Sequence, residues 1–168
     1  MKVKEDLNVI IERFPYWESI NKKLLKDVET IGYSDCSYKT FVKAKMSDFK
    51  INSKNIDIIT SWISSLIDRD YNYVRRKYKL NFFDTWFASY DYNDHTADHD
   101  HALTFLSFVY YINTPQGSSP LIFTTSKRKV KAKEGEVIIF PGFLKHYVPN
   151  NKCENRTILA GNVELTRD

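Results

Sequence analysis

The second half of the chain consists of short segments rich in β-branched and aromatic residues, and this pattern constrains the fold more than any other feature. The strand candidates are Phe82–Tyr92, Thr104–Asn113, Leu121–Thr125, Val130–Lys133, Glu136–Phe140 and Arg156–Leu165. Turn signals separate them in Thr114–Gly117, Glu134–Gly135 and Pro149–Asn151. Many short strands at this spacing predict a sandwich or barrel of the jelly-roll kind.

The first half has helical periodicity instead. Apolar residues recur at helical spacing in Val3–Arg13 and in Trp17–Ile31, and the second helix is expected to end near Gly32. Ser53 is a suitable N-cap for a further helix through Ile67, whereas Tyr38–Lys45 has the composition of a strand. We therefore predict an α+β fold, in which N-terminal helices pack on one sheet of a double-stranded β-helix (jelly-roll) core.

Length and composition favour a single domain over residues 1–168, with mostly helical support in 1–80 and the jelly-roll core in 81–168. Of the 168 residues, 42% are hydrophobic and 15% aromatic, as in globular proteins. No apolar run approaches the length of a membrane span and no signal-peptide core is present, so we expect a cytoplasmic location without a membrane partner. The formal net charge of +4 is mild and basic residues are mixed with acidic ones, which disfavours a nucleic-acid partner.

Histidines carry the clearest chemical signal. His99 and His101 are two residues apart, so on a strand both imidazoles would face the same side. His146, from a distant strand, would complete one face of a metal coordination sphere and leave the other face open for oxygen and a substrate. The remaining histidine, His95, lies in a turn-like segment, and we expect it in a loop near the entrance of the site.

Several motifs occur around these histidines in a defined order. They are Trp86–Tyr90, His99–His101, Phe108–Asn113, Gly135–Pro141, His146 and Arg156. Together they resemble the iron(II)- and 2-oxoglutarate-dependent oxygenases, most of all the prolyl-hydroxylase-like group with its bacterial and phage relatives. The resemblance covers roughly the C-terminal half of the chain.

The resemblance assigns iron(II) binding to His99, His101 and His146. It further implies that Arg156, ten residues after His146, pairs with the far carboxylate of the cosubstrate 2-oxoglutarate. A guanidinium suits this role because it is a planar, two-pronged hydrogen-bond donor. No catalytic residue beyond the metal ligands is implied.

Two tyrosines and an asparagine are further candidates for the cosubstrate pocket. By the same resemblance, Tyr90 matches a pocket tyrosine, and Tyr111 matches a tyrosine whose hydroxyl bonds the far carboxylate. Asn162 shares strand parity with Arg156 and would face the same pocket. The implied activity is hydroxylation of an unidentified substrate, either a small molecule or a peptide, with succinate and carbon dioxide as co-products. Assembly into a homo-oligomer is left open.

The pattern departs from the family at one metal ligand. The family usually has Asp or Glu two residues after the first histidine, and here that residue is His101. Asp100 should point away from His99 on a strand, and Asp98 would reach the metal only if the backbone turned there. A three-histidine site is therefore the preferred reading, with Asp98 or Asp100 as the alternative source of the third ligand.

Two other functions remain open. A three-histidine dioxygenase of the cupin type would not need 2-oxoglutarate, and Gly135, Pro141–Gly142, His146 and Asn150 approximate one cupin motif. The glutamate that cupins carry shortly after the histidine pair is missing, and Arg156 also argues against that reading. A non-catalytic jelly-roll binding module is the other alternative, and it would have no affinity for divalent metals.

Overall fold

The computed structural model describes residues 8–71 and 77–167 of the chain. In chain order its elements are β1 (Ile10–Arg13), α1 (Trp17–Ile31), β2 (Val42–Lys43), β3 (Lys45–Met46), α2 (Lys54–Asp70), β4 (Lys79–Tyr90), β5 (His95–His99), β6 (Leu106–Asn113), β7 (Leu121–Phe123), β8 (Lys129–Val130), β9 (Glu136–Pro141), β10 (His146–Val148) and β11 (Arg156–Thr166). Within the described ranges, no helix is long and apolar enough to cross a membrane.

The strands form two antiparallel sheets that pack face to face. The larger sheet has the order β1-β9-β6-β11-β4-β3, and the smaller sheet has the order β2-β5-β10-β7-β8. Apart from β7 and β8, neighbouring strands in each sheet are separated by other elements of the chain, as in a jelly roll. The predicted α+β class with a double-stranded β-helix core is confirmed.

The larger sheet is buried on both faces. On β4, Phe87 packs against the helices, whereas Trp86 and Ala88 face the smaller sheet. On β6, Tyr110 and Tyr111 divide in the same way between the two hydrophobic clusters. Successive side chains of a strand point to opposite faces, so burial on both sides gives nearly continuous apolar runs.

The two helices cover the outer face of the larger sheet. The side chain of Ser53 caps α2 by accepting a hydrogen bond from the Ile56 amide at 3.1 Å, as the sequence predicts. Buried Asn21 on α1 donates to the Ile112 carbonyl at 2.7 Å and accepts from the Tyr110 hydroxyl at 2.7 Å. These bonds fix α1 on β6, the strand whose inner face carries Tyr111.

Several local predictions are wrong. The described part of the predicted helix Val3–Arg13 contains β1, an edge strand that pairs with β9, while residues 3–7 lie outside the described residues. Segment 38–45 does not form one strand, because β2 and β3 join different sheets. His95 begins strand β5 instead of lying in a loop. Residues 8–71 thus contribute three short strands to the barrel besides the two helices.

Candidate metal centre

Three imidazoles converge where the smaller sheet brings β5 and β10 together. His99, the last residue of β5, is the direct cross-strand partner of His146, the first residue of β10. His101 follows just after the end of β5, and its ring centroid lies 4.9 Å from that of His99 and 5.5 Å from that of His146. One nitrogen from each ring lies within 4.8 Å of the other two. The sequence-predicted triplet therefore forms a single cluster.

Backbone carbonyls orient two of the rings. The Nδ1 atoms of His99 and His146 lie 2.9 Å from the carbonyl oxygens of Ala97 and Leu144, respectively. Because a carbonyl only accepts, each Nδ1 carries the proton, and each Nε2 keeps its lone pair. Such an outer hydrogen bond fixes the tautomer and the ring direction that a metal ligand needs.

Burial keeps the three imidazoles neutral. Desolvation lowers the pKa of His146 to about 3, with the neighbouring His99 adding to the shift. Desolvation and the nearby His99 lower the pKa of His101 to about 4, and burial also lowers the pKa of His99. Neutral imidazole is the form that binds metals, so the cluster has its ligand protonation state near neutral pH.

Aromatic rings pack around the cluster. Phe41 stacks on His99 with an interplanar angle of 7° and a centroid distance of 5.4 Å. Phe140 contacts His146 edge-on at 4.8 Å. Phe41 precedes β2 and belongs to none of the site motifs, so its place beside the cluster is not predicted from the sequence. Its contact arises because β2 pairs with β5, the strand that ends in His99.

Arg156, the first residue of β11, is a buried cation without a hydrogen-bond partner. Its side chain is among the largest fully buried ones, with 1% of the residue exposed. No described residue bonds Nε, Nη1 or Nη2, and the buried hydroxyl of Tyr111 is equally without a partner. The guanidinium carbon lies 4.5 Å from the ring centroid of Tyr90 and 5.4 Å from that of Tyr111. An uncompensated charge is costly to bury, so a buried guanidinium without an anion beside it indicates a place where an anion binds.

One cavity between the sheets joins the two features. Its walls include the three histidines, Tyr90 and Arg156. Tyr90 lies directly opposite Arg156 on the neighbouring strand, and its hydroxyl is 2.8 Å from Thr96 Oγ1. No carboxylate side chain is part of the described cavity wall. The cavity therefore has a nitrogen cluster on one side and a cation at the other end.

The other polar site candidates, Asn162, Asp98 and Asp100, are hydrogen-bonded to neighbouring residues and do not belong to the histidine cluster. Asn162 is buried on the inner face, where it accepts a hydrogen bond from Ser107 at 2.9 Å. Ser107 lines the cavity, whereas Asn162 does not. Asp98 is bonded by the Thr124 hydroxyl. Asp100 accepts from the Ala102 amide at 3.2 Å. Neither aspartate belongs to the imidazole cluster in the described part of the chain.

Neither a family model nor a curated protein matches this chain. Solved structures do match. A viral collagen prolyl hydroxylase from Paramecium bursaria Chlorella virus 1, in complex with 2-oxoglutarate, has a TM-score of 0.72 at 16% identity, over 91% of this chain and 94% of the viral one. A Pseudomonas putida prolyl-4-hydroxylase has a TM-score of 0.71 at 14% identity, over 94% and 92% of the two chains. This chain has their fold.

A further match has a bound peptide. The prolyl hydroxylase from Trichoplax adhaerens, in complex with a peptide fragment of the oxygen degradation domain of hypoxia-inducible factor, has a TM-score of 0.66 at 14% identity, over 93% of this chain and 83% of that one. Sequence identities this low establish the shared double-stranded β-helix. They leave the activity to be argued from the residues of the site.

Those residues fit both a divalent metal and a dicarboxylate. Three neutral imidazoles are suitable ligands for iron(II), and three protein ligands leave coordination positions open. The unbonded guanidinium of Arg156 lines the cavity and can donate to a buried carboxylate. The unbonded hydroxyl of Tyr111, which lines a neighbouring pocket together with Arg156, is a further donor beside it. The cavity thus has donors for two different groups at separate places on its wall.

Proposed function

We propose that the protein is a non-haem iron(II) dioxygenase that uses 2-oxoglutarate to hydroxylate its substrate. The observation that carries this proposal is the buried, unpaired Arg156 guanidinium in the same cavity as the His99–His101–His146 cluster. A metal site alone would not need a buried cation, and a structural arginine would have hydrogen-bond partners. The shared fold with prolyl hydroxylases supports the same conclusion.

In this proposal the histidines hold the metal and Arg156 holds the far carboxylate of the cosubstrate. When bound, iron(II) and 2-oxoglutarate supply the oxygen chemistry, with succinate and carbon dioxide as co-products. Because their Nδ1 atoms are bonded to backbone carbonyls, His99 and His146 would bind the metal through Nε2. The Tyr111 hydroxyl donates to the carboxylate beside Arg156.

Tyr90 has a different role from Tyr111. Its hydroxyl is already bonded to Thr96, and its ring lies against the guanidinium of Arg156. We infer that Tyr90 positions Arg156 and excludes water from it, while Tyr111 makes the hydrogen bond to the cosubstrate. Asn162, being bonded to Ser107, supports the inner face of the larger sheet at a point away from the guanidinium.

Charge balance also supports a dicarboxylate. With three neutral ligands, a divalent metal and Arg156 together give the cavity three positive charges, and no acidic side chain is in the described wall. A dianionic cosubstrate bound between the metal and Arg156 offsets most of this charge. Because His101 takes the place of a carboxylate ligand, the site would retain about one more positive charge than the usual family site.

Turnover tests the proposal. Iron-loaded protein in air should release succinate from 2-oxoglutarate even without its own substrate, because slow uncoupled turnover needs only the cosubstrate, iron and oxygen. The control is nickel-loaded protein, which has the same ligands but does not support the redox step. Succinate formation at the same rate with both metals would refute the assignment.

The imidazole at position 101 favours a second candidate, a three-histidine dioxygenase that does not use 2-oxoglutarate. In that case iron-loaded protein would form no succinate, and oxygen consumption with a suitable substrate would not depend on 2-oxoglutarate. Arg156 would then bind an anionic group of the substrate itself. The same succinate assay therefore separates the two candidates.

The proposal includes a substrate class, a location in the cell and a state of assembly. Because one structural neighbour binds a peptide, a peptide substrate is included in the proposal beside small molecules. Cys36 and Cys153 are free thiols, which agrees with the predicted cytoplasmic location, where thiols stay reduced. A homo-oligomer and a single domain over residues 1–168 also stay predictions.

A further inference from the structure

Trp86 presents a second unsatisfied donor to the cavity. Only 7% of the residue is exposed, and its indole Nε1 has no hydrogen-bond partner among the described residues. The ring lines the cavity, and its centroid is 6.4 Å from that of His101. Buried tryptophan N–H groups usually have an acceptor, and leaving one without a partner costs stability. A bound molecule next to the metal site would supply the missing acceptor.

The strand register places Trp86 on the open side of the site. On the inner face of the larger sheet, Tyr90 pairs with Arg156, whereas Trp86 pairs with Ala160 four residues away along β4. Tyr90 and Arg156 are almost completely buried. By contrast, Phe49, which packs edge-on against Trp86 at 5.3 Å, is 40% exposed. The indole N–H is therefore close to the metal but distant from the end that would hold the cosubstrate carboxylate.

Asp84 lies next to Trp86, still farther toward solvent. It is two residues before Trp86 on β4, so both side chains are on the inner face, with Cα atoms about 7 Å apart. Asp84 is partly exposed, and no described residue forms a hydrogen bond or an ion pair with its carboxylate. Its cross-strand neighbour Asn162 accepts its hydrogen bond from Ser107 instead. The cavity thus has a cation at its closed end, and the Asp84 carboxylate lies outside the cavity wall, next to Trp86 at the open end.

We propose that Trp86 and Asp84 bind the substrate and select its chemical class. The Trp86 N–H donates to an oxygen of the substrate close to the metal, and the Asp84 carboxylate accepts from an amino or amide N–H group farther out. This rests on the proposed function, because the metal and the cosubstrate are taken to occupy the inner part of the cavity. A substrate with a protonated or neutral nitrogen fits this pair, whereas an organic acid or a phosphorylated compound is repelled by Asp84.

A ligand-observed NMR titration tests this without turnover. The protein is loaded with zinc, which suits histidine ligands but is redox-inert, and with 2-oxoglutarate. The probes are L-leucinamide, which is cationic, and N-acetyl-L-leucine, which is anionic and has the same side chain. Asp84→Asn removes the charge, and Trp86→Phe removes the N–H while keeping a ring. The matched controls are Asp35→Asn on an exposed turn and Trp62→Phe in the helix–sheet cluster.

L-leucinamide should bind the parent protein more tightly than N-acetyl-L-leucine. Asp84→Asn should weaken L-leucinamide binding by about fivefold, the scale of a partly exposed ion pair, without weakening binding of the anionic probe. Trp86→Phe should weaken L-leucinamide binding by about fivefold, the scale of one neutral hydrogen bond. Neither variant should alter the affinity for zinc or 2-oxoglutarate, and neither control should have an effect.

Four results would overturn the proposal. They are preference for the anionic probe, binding of neither probe, no effect of Asp84→Asn, and loss of 2-oxoglutarate affinity in Trp86→Phe. The last result would assign the indole N–H to the cosubstrate. Failure of the proposed function is a separate observation: the parent protein itself would then not bind 2-oxoglutarate when loaded with metal.

Discussion

Replacing Arg156 with methionine should weaken cosubstrate binding and stabilise the free protein. Methionine keeps much of the volume of the arginine stem but removes the guanidinium, which has no partner in the described structure. Loss of a charged hydrogen bond costs about 1.5 to 3 kcal/mol of binding free energy. The affinity for 2-oxoglutarate should therefore fall about 10- to 150-fold.

The effect on stability has the opposite sign. Replacing buried ionic groups by apolar side chains of similar volume is often neutral or stabilises proteins by about 1 to 4 kcal/mol, and the gain is expected where the ionic group has no partner. The rings of Tyr90 and Tyr111, 4.5 and 5.4 Å from the guanidinium carbon, offset part of the cost of the buried charge. We therefore expect the lower half of the range, about 1 to 2 kcal/mol, or a rise in Tm of about 2 to 8 °C.

Two assays on the same protein samples check both effects. Calorimetric titration of metal-loaded protein gives the affinity for 2-oxoglutarate, and thermal denaturation without metal or cosubstrate gives the stability. Arg156→Lys is the matched control, because it keeps the charge but loses the two-pronged donor, so it should weaken binding without the gain in stability. Unchanged affinity in Arg156→Met would exclude Arg156 as the cosubstrate anchor, and a lower Tm than the parent would show that its guanidinium is not an unpaired buried charge.

Three further substitutions test the metal centre and the fold. His146→Ala should strongly reduce the iron content of the purified protein, because it removes one of the three proposed ligands; an unchanged iron content with the fold intact would exclude His146. His101→Asp should retain iron and keep or increase succinate formation, because aspartate is a competent iron ligand and lowers the excess positive charge; loss of all turnover would favour the three-histidine dioxygenase. Gly135→Ala should destabilise the protein by at least about 1 kcal/mol in chemical denaturation, since φ is +77° and a Cβ atom would lie 2.2 Å from Trp17 Cβ; equal stability would contradict the tight turn.

The elements with strong local signals could be predicted from the sequence. Helix α1 has the predicted bounds because its apolar periodicity is interrupted by Pro15 before it and Gly32 after it. Strands β4, β6, β9 and β11 contain long apolar runs because both faces of the larger sheet are buried. The convergence of three histidines is also predicted from the sequence, but His101 lies just after the end of β5, so strand parity with His99 is not what brings it to the cluster.

The elements that depend on distant pairing were not predicted. Strands β5 and β10 are short and polar, and the cross-strand pair His99–His146 exists only in the folded sheet. The four residues of β1 fit helical and strand spacing equally. They form a strand because they pair with the edge of β9, a contact that the local sequence does not show. The missing partners of Arg156 and Trp86 are likewise visible only in three dimensions, because the absence of a partner leaves no pattern in the sequence.

Anaerobic calorimetric titration of 2-oxoglutarate into the protein measures whether one cavity binds metal and 2-oxoglutarate together. Iron-loaded parent protein should bind about one equivalent per iron, and removal of the metal should weaken this binding by at least about tenfold, because the metal and Arg156 would hold opposite ends of the same molecule. Equal affinity with and without metal, or no binding at all, would contradict the account.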